Sequence, residues 1–191
     1  MSGDRATRML ILSSARTLFS EKGYEATPVE EICTLAGVAK GTFFYHFESK
    51  QYIVRHILAM QLAEYRDKLR EQMDTMKDAL ARAEYYIGAL VEQGDVCGET
   101  RTYFKGEAAE WYQTVVSEER MKALFPLLEE VVIEGVSEGY FRVKYPSVCA
   151  SIAFMGIDAF LHHSSYAEEA RSGIREIAAK ALGIRESALA I

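Results

Sequence analysis

The chain of 191 residues has only three prolines and no clear alternation of apolar and polar residues, so an all-helical fold is expected. Cysteine is equally scarce. Cys33, Cys97 and Cys149 are odd in number and far apart, matching neither a metal-ligand spacing nor a disulfide framework. Cys33 and Cys149 lie among apolar helical residues and read as small core side chains, whereas Cys97 sits in the glycine-rich stretch 94–98 and is a candidate for exposure. No apolar run approaches the ~20 residues that a membrane span requires, and no signal-peptide pattern is present. A cytoplasmic protein without a membrane partner is expected. Nor is there an excess of positive charge: the formal net charge is −6. Residues 1–56 hold seven Lys or Arg against six Asp or Glu, so the acidic surplus belongs to the remainder. Such a balance allows only weak nonspecific attraction to nucleic acid, with the N-terminal part turned toward the phosphates. No Ser/His/Asp order, P-loop or HExxH motif occurs, so an enzyme is not expected. His162 and His163 are adjacent, and adjacent helical side chains diverge by about 100°, too far to share one ion readily. The same divergence makes Glu118-Glu119 and Glu129-Glu130 solvated faces. No metal or other cofactor is expected.

What the chain does have is a dense local pattern from Thr27 to Lys50, TPVEEICTLAGVAKGTFFYHFESK. Thr27 followed by Pro28 and Glu30 predicts an N-cap, a first helical position and a capping box. Ile32, Leu35 and Ala36 recur at helical spacing, and Gly37 supplies the permissive backbone of a tight turn. Ala39 to Phe47 is predicted as a short second helix, with Phe43 and Phe47 in the core. Cys33 sits where two crossing helices leave room for a small side chain. This is a helix-turn-helix pattern, whose second helix enters the DNA major groove. Before it, residues 5–22 form an amphipathic helix through Ile11, Leu12, Ala15, Leu18 and Phe19, closed by Lys22 and Gly23. Arg5 and Arg8 precede that apolar face.

With LFSEKGYEATPVEEI ahead of AGVAKGTFFYHFESK, the first 55 or so residues resemble the TetR family of bacterial transcriptional regulators. Gly23-Tyr24, Thr27, Ile32, Ala36-Gly37-Val38, Lys40-Gly41, Tyr45-His46-Phe47 and Lys50 all stand at the family spacing. Two positions depart from it: Ala39, where the family usually has Ser or Thr, and Phe44, often Tyr. Either loss removes a hydroxyl that can bond a phosphate oxygen. The DNA-contacting set read from the pattern and the resemblance is Thr27, Lys40, Gly41, Thr42, Phe44, Tyr45, His46 and Lys50. Phosphate contacts position the head, while Lys40, Thr42 and Tyr45 face bases.

Ser49 caps a fourth helix predicted over Lys50–Met73, with Tyr52, Ile53, His56, Ile57 and Met60 as its buried face. At 1.5 Å per residue it spans roughly 35 Å, long enough to act as a mechanical link between head and body. The body reads as a helical bundle. One helix runs from Thr75 to about Gln93. A segment follows over Glu99–Val116, then a helix over Glu118–Gly139 that Pro126 should kink or split. The last two helices cover 147–164 and Ala167–Leu182. Aromatics are spread over these elements. Tyr85, Tyr86, Tyr103, Phe104, Trp111, Tyr112 and Phe154 are the candidate lining of an effector cavity. The last two helices are apolar on more than one side. Met155, Phe160, Leu161, Ile174 and Ile177 are therefore candidates for a two-fold, four-helix dimer interface.

The predicted architecture is all-α: a three-helix head at residues 1–50, joined by the long helix to a ligand-binding and dimerisation domain at 51–191. The expected function is a homodimeric, ligand-responsive repressor. It would bind a palindromic double-stranded DNA operator and be released by a small apolar or aromatic effector. The alternative is a dimeric helical adaptor or ligand carrier that has lost operator binding.

Overall fold

The computed structural model describes residues 2–92, 96–161 and 167–183. Among these residues every regular element is an α-helix, as expected. They are α1 (Ser2–Lys22), α2 (Val29–Ala36), α3 (Lys40–His46), α4 (Lys50–Met73), α5 (Ala79–Glu92), α6 (Gly98–Arg101), α7 (Glu107–Ser137), α8 (Pro146–Leu161) and α9 (Ala167–Leu182). Two compact units emerge: Met1–Gln61 with Cys97–Glu119, and Leu62–Val96 with Arg120–Ile191. The division falls inside α4 and α7.

In the first unit, α1 buries Ile11, Leu12, Ala15 and Phe19 and ends at Gly23, whose φ of 87° only glycine adopts without strain. The expected capping box at Thr27 does not form. Pro28 occupies the N-cap without a side-chain cap bond. The Thr27 hydroxyl is wholly buried and donates to the Gly23 carbonyl at 2.8 Å and the Leu18 carbonyl at 3.4 Å. Its N–H donates to the Tyr24 carbonyl, so Glu30 has no donor to reach back to. Thr27 thus satisfies carbonyls at the end of α1 rather than donors at the start of α2.

The turn after α2 follows from Gly37, at φ 66°. The Gly37 N–H bonds the Thr34 carbonyl and the Val38 N–H bonds the Cys33 carbonyl at 3.0 Å, a Schellman closure. Ile32 and Cys33 are buried beneath it, whereas Leu35 is 52% exposed. Phe43 and Phe47 enter the core as expected. Ser49 caps α4 through its bond with the Tyr52 N–H. The buried stripe of α4 differs from expectation. Ile53, Val54, Ile57 and Leu58 are buried, followed in the second unit by Leu62, Tyr65, Leu69 and Met73. Tyr52 and Met60 flank that stripe and are each 47% exposed.

The segment 97–119 packs with the first unit. Tyr24 stacks near Phe104 at 4.8 Å and Trp111 at 5.7 Å, and Phe104 stacks on Tyr112 at 4.4 Å. The Tyr24 N–H also donates to the Tyr103 carbonyl at 2.8 Å. Burial, with a smaller effect from Glu25, pushes the Tyr24 hydroxyl up to about 12. Cys97 is buried rather than exposed, and the Tyr112 hydroxyl donates to its carbonyl at 2.9 Å. Cys149 is half-buried, less enclosed than expected.

Two expected segments are redivided. α6 is a single turn, Gly106 turns the chain at φ 57°, and α7 then continues for 31 residues through Pro126 without splitting. An interior proline costs about 3 kcal/mol. Here Pro126 and Lys122, whose carbonyl loses its helical donor, both lie on the exposed side, where water can replace that bond. Leu124, Leu127, Leu128, Val131 and Val132 meanwhile bury the opposite face, and the Tyr86 hydroxyl donates to the Leu124 carbonyl.

In the second unit α5 begins at Ala79 rather than Thr75, because the Asp78 carboxylate caps it through the Ala81 N–H at 2.9 Å. That bond comes first among the causes holding the Asp78 carboxyl below its usual range. Gly135 lies in the last turn of α7, where a Cβ would stand 2.1 Å from the buried Phe141 ring. α8 and α9 pack together, with Gly156 against Ile177, and Phe154, Ile157, Ile174, Ala178 and Leu182 buried.

Candidate nucleic-acid interface

The seven residues of α3, KGTFFYH, divide by helical geometry into two faces. Phe43, with Phe47 just beyond, faces the core of the first unit. Lys40, Gly41, Phe44 and Tyr45 recur at i, i+1, i+4 and i+5 and form one exposed strip. Phe44 is 47% and Tyr45 77% exposed, and Thr42 is half-buried at the strip's edge. A helix with one anchored face and one protruding face can lie in a groove without disturbing its own core.

The charges around this strip are arranged across helices, which no local sequence pattern announces. Lys40 pairs with Glu30 of α2 at 2.5 Å, both side chains being largely exposed. Their hydrogen bond is the leading cause that holds the Glu30 carboxyl below its ordinary value and raises the Lys40 ammonium above its own. The His46 side chain is nearly enclosed, with Nε2 at 3.7 Å from Asp4 of α1. Arg8 of α1 lies 5.4 Å from the Phe47 ring centre and donates to Nε2 of His56 on α4. That bond requires a neutral His56 accepting through Nε2. Burial first, then Arg8, lowers the His56 pKa, with Glu119 acting in the opposite direction.

Two members of the expected DNA set are engaged within the fold. Thr27 is internal, as described above. Lys50 donates to the Tyr24 carbonyl at 2.6 Å and the Thr27 carbonyl at 3.0 Å, over the Tyr24 ring at 4.1 Å. Burial lowers its pKa. Lys50 therefore ties the α1–α2 connection to the start of α4. The sequence pattern marks its position but not that its donors point inward.

The expected effector residues separate. Phe104, Trp111 and Tyr112 join the Tyr24 cluster of the first unit, and Tyr103, in the same unit, meets Tyr24 through its backbone carbonyl. Tyr85, Tyr86 and Phe154 belong to the second, where Tyr86 and Phe154 are buried and Tyr85 is half-buried. A cleft of about 310 Å³ in the first unit is lined by Phe19, Tyr24, Tyr103 and Lys105 among others, and touches only one of the seven. The second unit holds a buried ion pair that composition did not reveal: Arg120 Nε stands 3.1 Å from Asp158, between helices α7 and α8. Of the expected dimer residues, Met155 is 58% exposed, Ile177 is half-buried, and Ile174 is wholly buried within its own chain. Ile174 thus serves the packing of α9 against α8 rather than a free face. The side chains of Phe160 and Leu161, and residues His162 and His163, lie outside the described residues. Among the described residues no group of three His, Cys, Asp or Glu could hold a metal ion, and no helix is long and apolar enough to cross a membrane.

Comparison with known proteins places this geometry. A family model of bacterial regulatory proteins, tetR family, matches residues 11–57, the stretch from the core of α1 into α4. The HTH-type transcriptional repressor KstR2 of Rhodococcus jostii (strain RHA1) is 31% identical over 148 residues, covering 74% of this chain and 71% of that protein. KstR2 of Mycobacterium tuberculosis (strain ATCC 25618 / H37Rv) is 28% identical over 135 residues, covering 69% and 68%. Among solved structures, RolR in complex with resorcinol superposes with a TM-score of 0.67 at 19% identity, covering 97% of this chain and 92% of that one. FadR from Bacillus subtilis in complex with stearoyl-CoA gives 0.57 at 18% identity, covering 89% and 97%. At these identities the structures establish the shared fold, while the sequence relationship to KstR2 extends well past the head. The chain that presents the exposed strip of α3 belongs to the tetR family of bacterial transcriptional regulators.

Proposed function

We propose that the protein is a homodimeric repressor that holds a palindromic double-stranded operator and releases it on binding a small apolar or aromatic effector. In this reading residues 1–50 carry DNA binding, and residues 51–191 carry effector binding and dimerisation. The observation that carries it is the exposed strip Lys40, Gly41, Phe44 and Tyr45 on a helix anchored by Phe43 and Phe47. The relatives that match beyond the head are repressors by name. Dimerisation is supported by α8, where Val148, Ile152 and Met155 are 56%, 59% and 58% exposed and recur at helical spacing. Three large apolar side chains on one face of one helix are what a two-fold helix pair would cover. Effector binding is supported by the fold neighbours solved with resorcinol and stearoyl-CoA. Effector and operator then weaken each other by one coupling free energy.

The test is fluorescence anisotropy of the purified protein on the DNA upstream of its own gene, titrated across salt. A tight, salt-dependent complex that random DNA competes for poorly is the expected result. A folded dimer that binds this DNA no better than random DNA would count against an operator there and favour the adaptor alternative.

A further inference from the structure

The exposed strip of α3 is poor in the groups that usually read bases. It has no Arg, Asn or Gln, the side chains that make bidentate bonds to guanine or adenine edges. Its one long cation, Lys40, is paired with Glu30. What it offers instead is aromatic surface, Phe44 and Tyr45, beside a glycine. Gly41 has no internal reason to be glycine: its φ is not positive, and a Cβ there would meet nothing within 4 Å. An exposed helical glycine costs about 1 kcal/mol relative to alanine. Its absent side chain lets whatever lies against the strip come close to the backbone, one turn from Phe44 and Tyr45. In the major groove the apolar feature that distinguishes a base pair is the thymine C5-methyl group.

Resting on the operator-binding reading above, we propose that this protein reads its operator chiefly through thymine methyl groups, which pack on Phe44 and Tyr45 as Gly41 lets α3 approach closely. The operator half-site then carries thymines at the one or two positions facing these rings.

The experiment uses the full-length protein and a binding site selected from random-sequence duplexes. Each thymine is then replaced singly by deoxyuridine, which removes the methyl group and leaves every hydrogen-bonding edge intact. Covering one methyl group is worth about fourfold in affinity, so replacement in both half-sites of a dimer's operator weakens binding about 16-fold. Phe44→Ala should lose the preference for thymine over uracil at one position, and Phe44→Leu should restore part of it. An all-uracil operator bound within about twofold of the thymine operator by the unaltered protein overturns the inference while leaving the repressor reading intact. So does a uracil penalty that persists unchanged at every thymine in both Phe44→Ala and Tyr45→Ala. Selection that enriches no sequence at all removes the operator reading, and this inference with it.

Discussion

Glu30 and Lys40 give the sharpest test of how the head meets DNA. The two side chains are 2.5 Å apart, on different helices, and each shifts the other's ionisation in the direction an ion pair requires. While the pair holds, the strip of α3 presents almost no net charge to the phosphates. Glu30→Gln keeps the size of the side chain and removes its charge, freeing Lys40 to neutralise a phosphate. One additional neutralised phosphate steepens the dependence of log K on log salt by about 0.9, and two heads in a dimer steepen it by about 1.8. Over a fourfold rise in salt, from about 50 to 200 mM, the variant should lose ~12-fold more affinity than the unaltered protein. Its affinity for nonspecific DNA at the low-salt end should be higher. The assay is anisotropy on a random-sequence duplex at five or six salt concentrations, with Lys40→Ala and the double variant alongside. The double variant should return to the original slope. Parallel slopes for the unaltered protein and Glu30→Gln would refute the reasoning, because Lys40 would then either leave Glu30 on its own or never face a phosphate.

Further outcomes follow from other contacts. His56 accepts from Arg8, and its folded pKa is depressed, so the unfolded chain binds the proton more readily. The stability this supplies is full above the unfolded value of about 6.5 and is lost as pH falls through the folded pKa. His56→Gln keeps an acceptor for Arg8 and should flatten that acid-side loss in denaturant titrations. Gly135→Ala gains about 1 kcal/mol of helix propensity but drives a Cβ into the enclosed Phe141 ring. With overpacking at the upper end of about 1–3 kcal/mol, a net loss of ~1–2 kcal/mol is expected in urea unfolding, relieved by Phe141→Leu. Ile152→Lys places a charge in the exposed α8 stripe. It should convert the dimer to monomer in sedimentation velocity while leaving the helical circular dichroism unchanged.

Much of the architecture was set by local chemistry. Gly37 after an apolar helix turn dictates a left-handed residue and hence the bend between α2 and α3. Phe43 and Phe47, four apart, dictate which side of α3 is buried and so which side is free. The limits of α4 and α9 follow from Ser49 and from helical periodicity, and both match the expected spans. These features depend on backbone conformation and on a repeat of 3.6 residues, both of which adjacent residues determine.

The tertiary structure decided what depends on partners distant along the chain. Thr27 has the chemistry of an N-cap, but its hydroxyl donates to the carbonyls of Leu18 and Gly23, and Pro28 takes the N-cap position of α2. Lys50 stands where a phosphate contact was expected, yet carbonyls of residues 24 and 27 take its donors. Pro126 looks like a break, and the burial of the opposite face of α7 outweighs it. Phe104 and Trp111 stand far from Tyr24 in sequence, and only the fold brings their rings to 4.8 and 5.7 Å from it. A side chain's chemistry specifies which bonds it can make. Which of them it does make is chosen by the groups that packing brings within about 3 Å, and that distance is set by the whole fold.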